Sequence, residues 1–128
     1  MCVHLERGAM SKEIRNHKDL EVWKKSMDLV SNIYKIPESF PNKELYGLTN
    51  QIRRAAVSVP SNIAEGAARS SKKEFIQFLY IALGSLSELE SQIIIANRLE
   101  YLNNSDTLLE DLKFVQKLIN GLIYYLKK

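Results

Sequence analysis

At 128 residues, with 45% apolar and 26% charged positions, the chain has material for one domain with a real core. A net charge of +3 and a pI near 9.0 permit an RNA, DNA or acidic-protein partner, and equally a plain solvated surface. Cys2, the only cysteine, excludes an intrachain disulfide. The N-terminus lacks the apolar run of a signal peptide, and the longest apolar run, at 93–96, is too short for a membrane span. The expectation is a cytoplasmic protein.

Residues 1–17 are polar and aperiodic and are expected to form a flexible N-terminal extension; Met10 is an alternative start. Residues 18–128 then make up the folded domain. A first helix is expected over 19–36, with Asp19 as N-cap and Leu20, Trp23, Met27, Val30 and Tyr34 on its buried face. Pro37 and Pro41 bracket the next loop, where Phe40 plugs the end of the fold.

A second helix is expected from about 42, burying Leu45, Leu48, Ile52, Ala55 or Ala56, Val59 and Ile63. Pro60 interrupts it, yet the apolar spacing continues past the proline. One kinked helix fits better than two, with Ser58 and Ser61 helping the freed carbonyls and Gly66 ending the helix in a left-handed turn.

Ser71 and Glu74 form a capping box for a third helix, with Ser70 the competing cap. Its seam is Phe75, Leu79, Ala82, Leu86, Leu89, Ile93 and Ala96. Further apolar residues flank that seam, including Ile76, Phe78, Tyr80, Ile81, Leu83, Ile94 and Ile95, so this helix requires cover on more than one side. After the Asn103-Asn104 break, Asn104 or Ser105 caps a fourth helix burying Leu108, Leu112, Val115, Ile119, Leu122 and Leu126. The fold expected is all-α, an antiparallel up-down-up-down four-helix bundle.

Catalytic and metal chemistry find little purchase. Di-metal sites in bundles use Glu-x-x-His pairs, and the chain has none. His4 and His17 lie in or beside the N-terminal extension; pairing them with Cys2 or Glu13 does not complete a four-ligand set. No histidine sits where it would activate a serine, and Gly66 and Gly84 are isolated rather than part of a phosphate loop. No catalytic, cofactor or metal site is expected.

Arg53 and Arg54 are adjacent, so they diverge by about 100° on a helix. One reading is structural, with one of the pair meeting Glu65, Glu88 or Glu90 at a joint; the other is phosphate contact. Arg69 with Lys72-Lys73, and Lys24-Lys25, would extend a basic patch or simply face solvent. Tyr46, Tyr80, Tyr101, Tyr124 and Tyr125 are candidates for base stacking or for interface packing.

The stretch QIRRAAVSVPSNIAEGAARSSKKEFIQFLYIALGSLSELESQI, with DLEVWKKSMDLV before it, resembles the four-helix-bundle family of 23S rRNA intervening-sequence proteins. The likeness is strong over about 20–102 and looser in the fourth helix. Trp23, Arg53, Arg54, Ser58, Pro60, Asn62, Glu65, Gly66 and Arg69 stand at the family's signature positions. The resemblance implies a homo-oligomer, usually a pentameric ring, with no established enzymatic activity. A related group serves as accessory proteins to the reverse transcriptase of diversity-generating retroelements. Implied partners are therefore further copies of the chain, RNA or DNA, or a protein partner such as a polymerase.

Overall fold

The computed structural model describes residues 16–128, together with the backbone of two short strands, β1 (Val3–His4) and β2 (Glu13–Ile14). The strands pair antiparallel, Val3 opposite Ile14 and His4 opposite Glu13, a ladder that no sequence pattern announced. Of the flexible extension expected over 1–17, only Asn16 and His17 are otherwise among the described residues.

Four helices follow: α1 (Glu21–Lys35), α2 (Leu48–Ala67), α3 (Lys72–Arg98) and α4 (Asp106–Lys127). Contacts between helix ends establish their directions. Arg53, in the second turn of α2, reaches the carbonyl of Tyr34 near the end of α1. Lys127, at the end of α4, reaches Tyr80 near the start of α3. With α2 packed on α3 and α4 closing on α1, the result is the expected up-down-up-down bundle.

The α3 seam holds throughout, with Phe75, Leu79, Ala82, Leu86, Leu89, Ile93 and Ala96 all buried. Ile52, Ala55, Ala56, Val59 and Ile63 of α2 and Leu112, Val115, Ile119, Leu122 and Leu126 of α4 join them, while Leu108 is half-buried. Each fully buried Leu, Ile or Phe contributes about 1.5–3 kcal/mol through removal from water.

In α1 the expected face is out of phase. The core takes Val22, Ser26, Leu29 and Ile33, while Met27 and Tyr34 are exposed and Trp23 and Val30 half-buried. Two apolar stripes run side by side on this helix, and Ser26 disguises the true one. Its hydroxyl is content in the core because it donates to the carbonyl of Trp23 at 2.8 Å.

Helix boundaries shift for local reasons. Asp19 is not the N-cap of α1; Asn16 caps a single 3-10 turn over His17–Asp19, and Leu20 takes the N-cap position without a side-chain bond. Residues 42–44 form another 3-10 turn, so α2 starts at Leu48 rather than near 42, which leaves Leu45 outside its period and exposed. Phe40 is buried as expected and packs on Tyr101 at a ring-centroid distance of 5.3 Å. At the start of α3, the Ser71 hydroxyl accepts from the Glu74 N–H at 3.1 Å and donates to that residue's carboxylate, so the cap stands although the return bond of a full box does not. The helix ends in a Schellman turn. Glu100, at φ 64°, takes the left-handed position usual for glycine, and the Tyr101 N–H donates to the Ala96 carbonyl. Asn104 rather than Ser105 supplies a side-chain bond at the start of α4, accepting from the Asp106 N–H at 3.0 Å.

One polar tie spans the end of the bundle that carries the α1–α2 and α3–α4 connections. The Tyr101 hydroxyl donates to Glu44 Oε2 at 2.8 Å, and the Leu48 N–H donates to Glu44 Oε1 at 3.2 Å. These bonds, Tyr101's first, hold the Glu44 carboxyl below its ordinary range, and the same bond pushes the Tyr101 phenol up. A carboxyl lowered in the fold stabilises it above the unfolded value and loses that contribution as pH falls through the folded one. The acid limb of stability, from about pH 5 downward, should therefore be shallower in Glu44→Gln than in the parent chain. Urea midpoints measured across that range would check this, and identical limbs would exclude a role for Glu44.

Candidate nucleic-acid interface

The polar residues around Pro60 come from one continuous helix. α2 runs through the buried proline to Ala67, so the single-helix expectation holds. Ser58 does not serve the freed carbonyls, because it faces α3. Its hydroxyl lies 2.8 Å from the Ser85 hydroxyl, and Asn62 Nδ2 donates both to Ser58 Oγ at 2.9 Å and to the Ser58 carbonyl at 2.8 Å. Ser61 is exposed. Ser58, Asn62 and Ser85 thus form a polar lock between α2 and α3. Ser85 gave no sequence signal, since a serine in a long apolar helix looks like any other.

Gly66 also differs from expectation. No glycine among the described residues has positive φ, and Gly66 is buried inside α2 rather than ending it. A Cβ there would lie 2.7 Å from Phe78 Cβ and 3.2 Å from the Phe75 carbonyl oxygen. Its missing side chain lets α2 and α3 approach.

The arginines divide into engaged and free. Arg53 donates from a terminal nitrogen to the Tyr34 carbonyl at 2.9 Å, and its guanidinium lies 4.9 Å from the Tyr34 ring centroid. It therefore ties α1 to α2 and does not reach Glu65, Glu88 or Glu90. Arg69, just past the end of α2, pairs with Glu65 of that helix at 3.2 Å and covers the Phe78 ring at 4.9 Å. Arg53 and Arg69 thus belong to two separate joints. Arg54 is exposed and makes no hydrogen bond or ion pair among the described residues.

Arg54 also stands apart from the other basic candidates. The helix runs on for more than three turns from Arg54 to its end at Ala67, about 20 Å at the usual rise, and Arg69 lies just beyond. Lys72 and Lys73 are exposed in the first turn of α3, beside Arg69. Lys24 and Lys25 lie near the start of α1, at this same end, and Lys25 is 3.9 Å from Glu21. Trp23 packs half-buried against the core, with His17 edge-on to its ring at 5.1 Å. Of the tyrosines, Tyr101 is engaged in the fold, while Tyr46, Tyr80, Tyr124 and Tyr125 are exposed.

A groove of about 370 Å³ between α1 and α4 is lined by Lys25, Asp28, Asn32 and Asp111 with Leu29, Phe114 and Val115. It holds no histidine, cysteine or serine to serve as base or nucleophile. Among the described residues, no three His, Cys, Asp or Glu side chains cluster as metal ligands do. One helix among them, α3, has the length and mean hydropathy of a membrane span, but here its seam forms the middle of the bundle.

Comparison with known proteins points one way. Residues 18–121 match the family model described as 23S rRNA-intervening sequence protein. A crystal structure of a protein of unknown function from the S23 ribosomal protein family of Bacteroides thetaiotaomicron superposes with a TM-score of 0.70 at 27% identity, covering 80% of this chain and 97% of that one. No curated protein matches the chain.

Proposed function

Because the chain belongs to the 23S rRNA-intervening sequence protein family, we propose that it is a non-catalytic bundle that assembles with copies of itself and binds nucleic acid in the cytoplasm. A pentameric ring is the assembly proposed, and RNA near the ribosome the ligand. The observation that carries the assembly is the apolar surface left outside the core. Ile81, Ile94 and Ile95 are exposed on α3 and Leu99 at its C-terminal cap, and Met27 and Tyr34 are exposed on α1. Single exposed apolar residues are ordinary, but several on one helix favour burial against another copy. The binding half is supported by the basic balance and by the family's name. A ring would also repeat a weak contact and raise avidity without new chemistry.

Light scattering on the purified protein tests assembly: a mass well above 14.7 kDa is expected, and a mass near that value would refute the ring. RNA binding across a salt series tests the ligand. Affinity should fall steeply as salt rises, and absence of binding at low salt would refute this half. A protein adaptor, for instance for a polymerase, is the competing reading, since the same apolar faces would accept a partner protein. It predicts a copurifying protein that survives nuclease treatment.

A further inference from the structure

The antiparallel bundle gathers cations at one end that are far apart in sequence. The start of α1, the α2–α3 turn and the end of α4 meet there, bringing Lys24, Arg69, Lys72, Lys73, Lys127 and Lys128 together. Carboxylates at this end are engaged. Glu65 pairs with Arg69, Glu21 lies by Lys25, Glu74 accepts from Ser71, and Asp19 accepts from the Asn16 N–H. The opposite end, formed by the α1–α2 and α3–α4 connections, carries Glu38, Glu44, Glu100 and Asp106 against Lys35, Lys43 and Arg98, so its charges nearly balance. The excess of cations therefore collects at the first end, a property of the topology and not of the mild overall balance.

Helix stability explains only some of these cations. Lys127 and Lys128 at the end of α4 complement its dipole. Lys72 and Lys73 occupy the first turn of α3, where a cation is disfavoured. Neither has an ion-pair partner among the described residues. A local rule broken without a gain to the fold is where function is to be sought.

Aromatic rings lie among these charges. Tyr124 is 65% exposed and Tyr80 49%. Lys127 Nζ donates to the Tyr80 hydroxyl at 3.0 Å, and Lys128 Nζ lies 4.6 Å from the Tyr124 ring centroid. Lys113, Lys117, Tyr124 and Lys128 recur at steps of four and seven, so they share one exposed stripe of α4 that leads away from this end.

We propose that the end of the bundle formed by the start of α3 and the finish of α4 is a track for single-stranded nucleic acid, its phosphates on the lysines and its bases on Tyr80 and Tyr124. This rests on the nucleic-acid reading above and adds where the strand lies and which form is bound. Acidic protein would use the lysines but has no need of exposed rings. A duplex would use the lysines but keeps its bases stacked away from the tyrosines. Unpaired bases with backbone phosphates use both.

The test is fluorescence anisotropy with the full chain, using a labelled single-stranded RNA of mixed sequence and a duplex of equal length. Three variants are compared: Lys72→Glu with Lys73→Glu, Tyr124→Ala, and Arg54→Glu as a control on the far half of α2. All these side chains are exposed, and circular dichroism confirms the fold of each. The expected result is tighter binding of the single strand. Tyr124→Ala should weaken it roughly tenfold. The lysine pair should lower the slope of log affinity against log salt by about 1.4, and Arg54→Glu should change little. Equal affinity for the duplex would overturn the track while leaving nucleic-acid binding intact. So would binding that survives the lysine and tyrosine changes but is lost in Arg54→Glu. Displacement of the RNA by polyglutamate at equal charge concentration would overturn it in favour of an acidic protein. No binding of either RNA at low salt would refute the parent reading and the track together.

Discussion

Gly66→Val should destabilise the bundle by about 3 kcal/mol, the upper end of the usual cost of overpacking. The position is buried in the last turn of α2, facing Phe75 and Phe78 of α3. An added Cβ would sit 2.7 Å from Phe78 Cβ, an atom one bond from the backbone, so rotation of a side chain cannot relieve it. The two helices must separate, and the branched valine widens that separation. Gly66→Ala has the same clash with less bulk, offset by about 1 kcal/mol of gained helix propensity. Gly84 provides the contrast within α3. A Cβ there meets nothing within 4 Å, so Gly84→Ala should stabilise by up to about 1 kcal/mol. Urea unfolding at one fixed protein concentration, necessary for an assembling protein, checks both. Tolerance of valine at Gly66 would mean that α2 and α3 are less closely apposed than described.

Phe75→Ala should cost about 3–5 kcal/mol, the range for removing a large buried aromatic. The ring is 1% exposed and is among the largest fully buried side chains. Its Cδ1 lies 3.0 Å from the place where a Gly66 Cβ would stand, so the cavity opens at the α2–α3 junction itself. The two sites should consequently not be additive. Combining Gly66→Ala with Phe75→Ala should cost less than the sum of the single changes, because the new methyl enters part of the space the ring leaves. Strict additivity in a double-mutant cycle would contradict the packing described here.

These two residues also show how far the sequence could be read. Phe75 was legible because it begins an uninterrupted seam at steps of three and four, and every member of that seam is buried. Gly66 was legible as important through its place in the family motif, but its role was not. Glycine near a helix end suggests a turn, and only the neighbouring helix reveals that the space is occupied. The phase of α1 failed for a related reason. Two apolar stripes satisfy the helical period equally, and choosing between them requires knowing where α2 and α4 lie. Arg53 looked like a partner for a carboxylate; it found a backbone carbonyl on α1, an acceptor present at every residue and so invisible to a search for opposite charges.

The sequence by itself determined the number of helices, the all-α class, the buried seams of α3 and α4 and the continuity of α2 through Pro60. Each follows from information local to one helix: apolar period, caps and breaks. Tertiary structure alone decided the face of α1, the Ser58–Asn62–Ser85 lock, the close approach at Gly66 and the meeting of Lys72 and Lys73 with Lys127 and Lys128 at one end of the bundle. These depend on which segments become neighbours, and the antiparallel reversal of the chain creates neighbours that no spacing along it records.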